Sequence, residues 1–88
     1  MELKGVLIHI GETQAIKEFL KREFVIETQE QYSQKIIMEL QGSKVDLVEP
    51  YKLGEVVNVS INIKGKAYQD KNGQTRYFNT LLAWKIQR

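Results

Sequence analysis

From Val57 to Lys64 the chain alternates without a break, Val57, Val59, Ile61 and Ile63 against Asn58, Ser60, Asn62 and Lys64. A strict period of two fits a half-buried β-strand, because a helix would scatter those β-branched side chains around its axis. The strand pattern continues past Gly65 to about Gln69, meets Asp70-Lys71-Asn72-Gly73, and restarts from Arg76 to Ile86. Asp, Asn and Gly between two such runs are turn chemistry, so the second half of the chain is a long antiparallel hairpin. In its last strand Phe78, Leu82, Trp84 and Ile86 share one parity and are expected to face inward. Tyr77, Asn79, Leu81, Ala83 and Lys85 take the other side.

The first half supplies three more strands. Leu3 to Ile10 alternates and is rich in β-branched residues, with Gly5 marking a bulge or sharp bend. A second strand runs from Phe19 or Lys21 to Thr28, with Phe24 and Ile26 on one face. A third, Lys35 to Gln41, points Ile36, Met38 and Leu40 inward, and the polar stretch Gln29 to Gln34 turns between them. Ala15, Ile16, Phe19, Leu20 and Val25 fit a helical turn about as well as a strand, so the link between the first two strands stays open between a hairpin and a helical turn. After Gly42, Ser43-Lys44-Val45-Asp46 reads as a helix start with Ser43 as N-cap, and Pro50 and Gly54 end a short helix.

Three strands, a short helix and two strands in 88 residues form an all-β chain whose order matches the OB-fold, a five-stranded Greek-key barrel. The expected organisation is one domain, residues 1–88, because a chain this size supports a single core. Closing the sheet removes apolar edges that would otherwise aggregate, and Gly5 and Gly65 serve as bends in strongly coiled strands.

The hairpin also carries chemistry. Lys64, Lys66 and Tyr68 enter the turn and Arg76, Tyr77 and Phe78 leave it. Net charge is only +2, but beyond Gly65 the single acid Asp70 faces Lys66, Lys71, Arg76, Lys85 and Arg88, so the basic excess is local. Cations interleaved with aromatics suit a flexible polyanion with exposed base faces. Lys64, Lys66, Lys71 and Arg76 would meet phosphates, and Tyr68 and Tyr77 would stack bases. Lys21, Arg22 and Lys35 would extend the groove across the second and third strands, although Glu23 and Glu27 interrupt them.

On these residues the chain resembles a known family. Tyr51-Lys52-Leu53-Gly54-Glu55-Val56-Val57-Asn58-Val59, followed by Lys64-Gly65-Lys66-Ala67-Tyr68-Gln69-Asp70-Lys71-Asn72-Gly73-Gln74-Thr75-Arg76-Tyr77, is similar to the C-terminal half of bacterial single-stranded DNA-binding proteins. Met1-Glu2-Leu3-Lys4-Gly5, Phe24-Val25-Ile26-Glu27-Thr28 with Glu30-Gln31-Tyr32, and Ala83-Trp84-Lys85-Ile86 resemble a small, poorly characterised bacterial OB-fold family allied to them. The resemblance implies that Tyr68 stands where those proteins have a base-stacking tryptophan, and Lys64 and Lys66 where they have arginines. It also implies single-stranded DNA as partner, in replication, recombination or repair. A homo-oligomer, dimer or tetramer, is expected because joining short grooves raises avidity. An OB-fold protein-interaction module and an RNA binder are the competing readings.

Other classes find little footing. There is no cysteine and His9 is the only histidine, so metal sites of the usual Cys/His kind and nucleophilic dyads lack their partners, and no catalytic residue or cofactor is expected. The apolar run Val6 to Ile10 is far short of the roughly 20 residues of a membrane span, and Met1-Glu2-Leu3-Lys4 opens no signal peptide, which makes a cytoplasmic protein without membrane contact the expectation.

Overall fold

The computed structural model describes residues 1–88. Six strands form in chain order: β1 (Glu2–Ile10), β2 (Gln14–Ile16), β3 (Phe19–Thr28), β4 (Lys35–Gln41), β5 (Val56–Gln69) and β6 (Thr75–Gln87), with a 3-10 helix, Gly42–Val48, between β4 and β5. The sheet order is β1-β5-β6-β4-β3-β2, and β1 also pairs with β3, which bends the sheet round on itself. β4 and β6 meet through one parallel pair, Glu39 opposite Leu82, so the barrel is closed by continuous ladders at four seams and open along the fifth. This is the OB-fold expected from the element order, with β2 as an additional short strand.

Closure depends on β1 serving two neighbours. Glu2 to Val6 pairs with β5 and Gly5 to Ile10 with β3, so Gly5 stands opposite both Val57 and Thr28. A side chain there would put its Cβ 2.5 Å from the Glu27 carbonyl oxygen, which explains the glycine by close backbone approach. The bulge of β1 lies further on, between Leu7 and His9. Inside the barrel, Leu7, Phe24, Ile26, Met38, Leu40, Val57, Val59 and Ile61 are almost wholly buried. Val45 and Val48 of the 3-10 helix join this core and plug one end of the barrel.

One open alternative is resolved and several expectations are corrected. The link before β3 is a hairpin: Ile16 pairs with Phe19, and Lys17 takes φ 58° in the two-residue loop. Ser43 does not cap the helix. Gly42, at φ +60°, swings the chain out of β4, which makes the extended Gln41 the N-cap, without a side-chain cap bond. Gly65 pairs regularly with Asn79, and the bend of the long hairpin falls between Ser60 and Ile61.

The parity of β6 is reversed along most of its length. Phe78 and Trp84 are 46% and 44% exposed, while Ala83 is buried and Leu81 packs against the core. The turn dictates this. Tyr68 pairs with Arg76 and Lys66 with Phe78, so even-numbered residues of both strands share the outer face. Opposite Ser60 and Ile61 stand Lys85 and Ala83, which leaves Trp84 as the extra bulge residue. Past that bulge the parity flips again, and Ile86 faces inward opposite Val59 as expected.

The Tyr51-Lys52-Leu53-Gly54 segment, which follows the helix, ties it to β1 and β6. The Tyr51 hydroxyl donates to the Ile86 carbonyl at 3.0 Å, Arg88 lies over the Tyr51 ring, and Gly54, at φ +95°, donates its N–H to the Leu7 carbonyl. Glu55 accepts from the Lys52 N–H and from Arg88, contacts that hold its carboxyl below the usual carboxylate range.

Candidate nucleic-acid interface

β5 is longer than the barrel needs. From Asn62 onward its residues are all exposed, and with the start of β6 it forms a ribbon that runs past the core. Asp70 organises the tip. Its backbone N–H bonds the Gln74 carbonyl, its Oδ1 accepts from the Asn72 and Gln74 N–H groups at 2.9 and 3.0 Å, and its Oδ2 accepts from Arg76 Nε at 3.0 Å. Gly73, at φ +78°, supplies the left-handed residue that such a turn requires. The Arg76 guanidinium, then the Gln74 and Asn72 amides, hold the Asp70 carboxyl below its ordinary range. The tip is therefore pinned in shape, which fixes the register of everything on the ribbon.

That register gathers Lys64, Lys66 and Tyr68 of β5 on one face with Thr80, Phe78 and Arg76 of β6 opposite them. Tyr68 and Phe78 meet edge to face, ring centroids 5.8 Å apart at 63°. Beside them a groove of about 540 Å³ runs between the ribbon and the barrel wall. Lys64, Lys66 and Phe78 line it on the ribbon side, Leu82 and Thr80 along β6, and Lys21, Glu39 and Gln41 on the barrel side. A neighbouring hollow of about 490 Å³ shares Lys21, Glu39 and Phe78 and adds Lys35, Glu23 and Ile37. The surface thus offers two cations at alternate positions of β5, Lys64 and Lys66, and a two-ring aromatic station at their end.

The remaining sequence-predicted residues fall in different places. Lys71 is exposed in the turn. Arg76 lies on the groove face with its Nε engaged by Asp70. Lys21 lines the groove but is paired with Glu39 at 3.3 Å, and Lys35 is paired with Glu27 at 3.1 Å. Tyr77, 78% exposed, pairs with Ala67 on the opposite face of the ribbon and does not join Tyr68. Arg22 belongs to the scaffold: its side chain is 12% exposed, donates to the Gly11 and Val45 carbonyls at 2.8 and 3.3 Å, and reaches Glu49 at 2.6 Å. It shares the inward parity of Phe24 on β3, which ties the 3-10 helix to the barrel.

Sequence reasoning missed Phe78, assigned to the core, together with Glu39 and Gln41. The signal for Phe78 was present. Counting outward from the Asp70–Gly73 turn puts it opposite Lys66, whereas the apolar parity of β6 taken alone points the other way. Glu39 and Gln41 carried no signal, because only the seam between β4 and β6 brings them to the ribbon.

Comparison with known proteins agrees with this architecture. A family model described as "Domain of unknown function (DUF3127)" matches residues 2–87. No curated protein matches the chain in sequence. Among solved structures, the mitochondrial single-stranded DNA-binding protein Rim1 from S. cerevisiae superposes with a TM-score of 0.66 at 12% identity, covering 99% of this chain and 92% of that one. A small single-stranded DNA-binding protein from Streptomyces coelicolor superposes with a TM-score of 0.61 at 10% identity, covering 99% and 90%. At such identities the likeness is one of fold.

Proposed function

The chain belongs to the DUF3127 family, whose description carries no function, and on the groove described above we propose that it binds single-stranded DNA without strong sequence preference. The observation that carries this reading is the single face holding Lys64, Lys66, Tyr68 and Phe78, free of ion pairs to either lysine. A single strand presents one phosphate per nucleotide and a row of bare π-faces, and binding needs cations along the backbone and flat rings for the bases. Lys71 and the terminal nitrogens of Arg76 add charge at the tip. Lys21 and Lys35 contribute less, since each already neutralises a carboxylate. The fold likeness to single-stranded DNA-binding proteins supports the same reading.

The role is binding, without catalysis, in the cytoplasm, as part of replication, recombination or repair. A dimer or tetramer would join several short grooves and raise the effective concentration of each for one strand. Single-stranded RNA offers the same phosphates and base faces, so discrimination against it would require contact with the 2′-hydroxyl.

Replacing Lys64 and Lys66 together by glutamine tests the electrostatic half of the proposal. With labelled oligo-thymidine followed by fluorescence anisotropy across salt concentrations, the slope of log affinity against log salt becomes shallower by about 1.4, or ~0.7 for each phosphate released. An unchanged slope would remove these lysines from the interface.

A further inference from the structure

We propose that the groove orients its strand, with phosphates along β5 and base edges on β4, and that Glu39 there favours bases carrying an exocyclic amino group over thymine. This rests on the single-stranded DNA reading above and deepens it. The two sides of the groove differ in charge. Lys64 and Lys66 on the ribbon side have no carboxylate partner. Facing them, Glu39 stands in the floor, its Oε1 3.3 Å from Lys21 Nζ and its Oε2 accepting from the Gln41 side-chain amide, with 13% of its side chain exposed.

A carboxylate in a groove for a polyanion is out of place unless something other than phosphate meets it. Glu23, directly opposite Glu39 across β3 and β4, doubles the negative charge on that side, and Lys21 offsets only part of it. Phosphates are driven to the β5 wall. Bases attached to them then cross the groove with their edges toward Glu39.

What those edges meet is an acceptor. Glu39 has lone pairs beyond the two contacts it makes, and Gln41, having given an N–H to Glu39, retains its carbonyl oxygen. Cytosine N4 and adenine N6 are amino donors that suit this set. Thymine offers only N3–H, flanked on both sides by carbonyl oxygens that a carboxylate repels. The stacking at Tyr68 and Phe78 is indifferent to base identity, so the whole path stays tolerant while one position discriminates.

Oligo-dC and oligo-dT of equal length, both pyrimidines and so similar in stacking, separate the possibilities when titrated at neutral pH. The wild-type protein binds oligo-dC about fivefold more tightly, the lower end of what one well-placed base contact supplies. In Glu39→Gln, which keeps the shape and removes the charge, the two affinities fall within about twofold of each other and oligo-dT binds more tightly than before. Thermal melting of the variant, close to wild type, checks that the fold is retained. Equal wild-type affinities for the two oligomers, or a preference that persists in Glu39→Gln, would overturn the role of Glu39 and leave single-stranded binding standing. Failure of both oligomers to bind would remove single-stranded binding itself, and this inference with it.

Discussion

Tyr68→Ala is expected to weaken binding of oligo-thymidine about 5- to 150-fold, the ~1–3 kcal/mol that one base stacked on an aromatic ring supplies. The fold should hardly notice. Tyr68 is 52% exposed, its one aromatic contact is with Phe78, and neither residue belongs to the buried core. Melting temperature therefore moves by only a few degrees, while affinity by fluorescence titration drops at least about fivefold. Tyr77→Ala is the internal control. Tyr77 is more exposed than Tyr68 but lies on the other face of the same ribbon, so its loss changes affinity less than about twofold. Equal losses in the two variants would mean that the strand does not lie on the face holding Lys64, Lys66 and Phe78.

Arg22→Met reverses the pattern: large loss of stability, unchanged affinity. The guanidinium bonds two backbone carbonyls from segments far apart in sequence, Gly11 after β1 and Val45 in the 3-10 helix, and Val45 itself belongs to the core. Charge-assisted bonds of this kind contribute ~1.5–3 kcal/mol each, and the methionine removes both. The ion pair with Glu49 adds little, because Glu49 is 60% exposed and solvent screens it. A net cost of about 2–4 kcal/mol lowers the melting temperature of a domain this size by roughly 10–30 °C. Circular dichroism during heating measures it, and a wild-type melting curve would show that Arg22 does not brace the barrel.

The contrast between Arg22 and Lys64 marks how far the sequence could be read. Strand positions followed from local periodicity, because β-branched alternation and Asp/Gly turns are consequences of nearest neighbours along the chain. Core residues such as Phe24, Ile26, Met38, Val57 and Val59 came with them. Faces were harder, since they depend on register across strands. In β6 the apolar parity of Phe78, Leu82 and Trp84 argued for the inside, whereas the pairing imposed by the Asp70–Gly73 turn sends them outward, and the extra residue at Trp84 flips the parity only for Ile86. A correct strand thus carried a wrong face, because the register across the hairpin and not the apolar parity of one strand decides it.

The candidate site divides in the same way. Lys64, Lys66 and Tyr68 lie at alternate positions of one strand, so their common face was legible before any fold was known. Arg22 beside Lys21 looked like a second cation on the groove, but adjacent strand residues point to opposite faces, and the inner one was bound to serve the barrel. Glu39 reaches the ribbon only through the single β4–β6 pair, a contact between residues more than forty positions apart, and nothing local announces it.

The central claim is preference for an unpaired strand on the Lys64–Tyr68 face, and competition between a single-stranded oligo-thymidine and a duplex of equal length tests it most directly. With the labelled single strand bound at low salt, the unlabelled single strand should displace it at far lower concentration than the duplex, because only unstacked bases can reach Tyr68 and Phe78. Displacement by the duplex at the same concentration, or no binding of the single strand at low salt, would contradict the account.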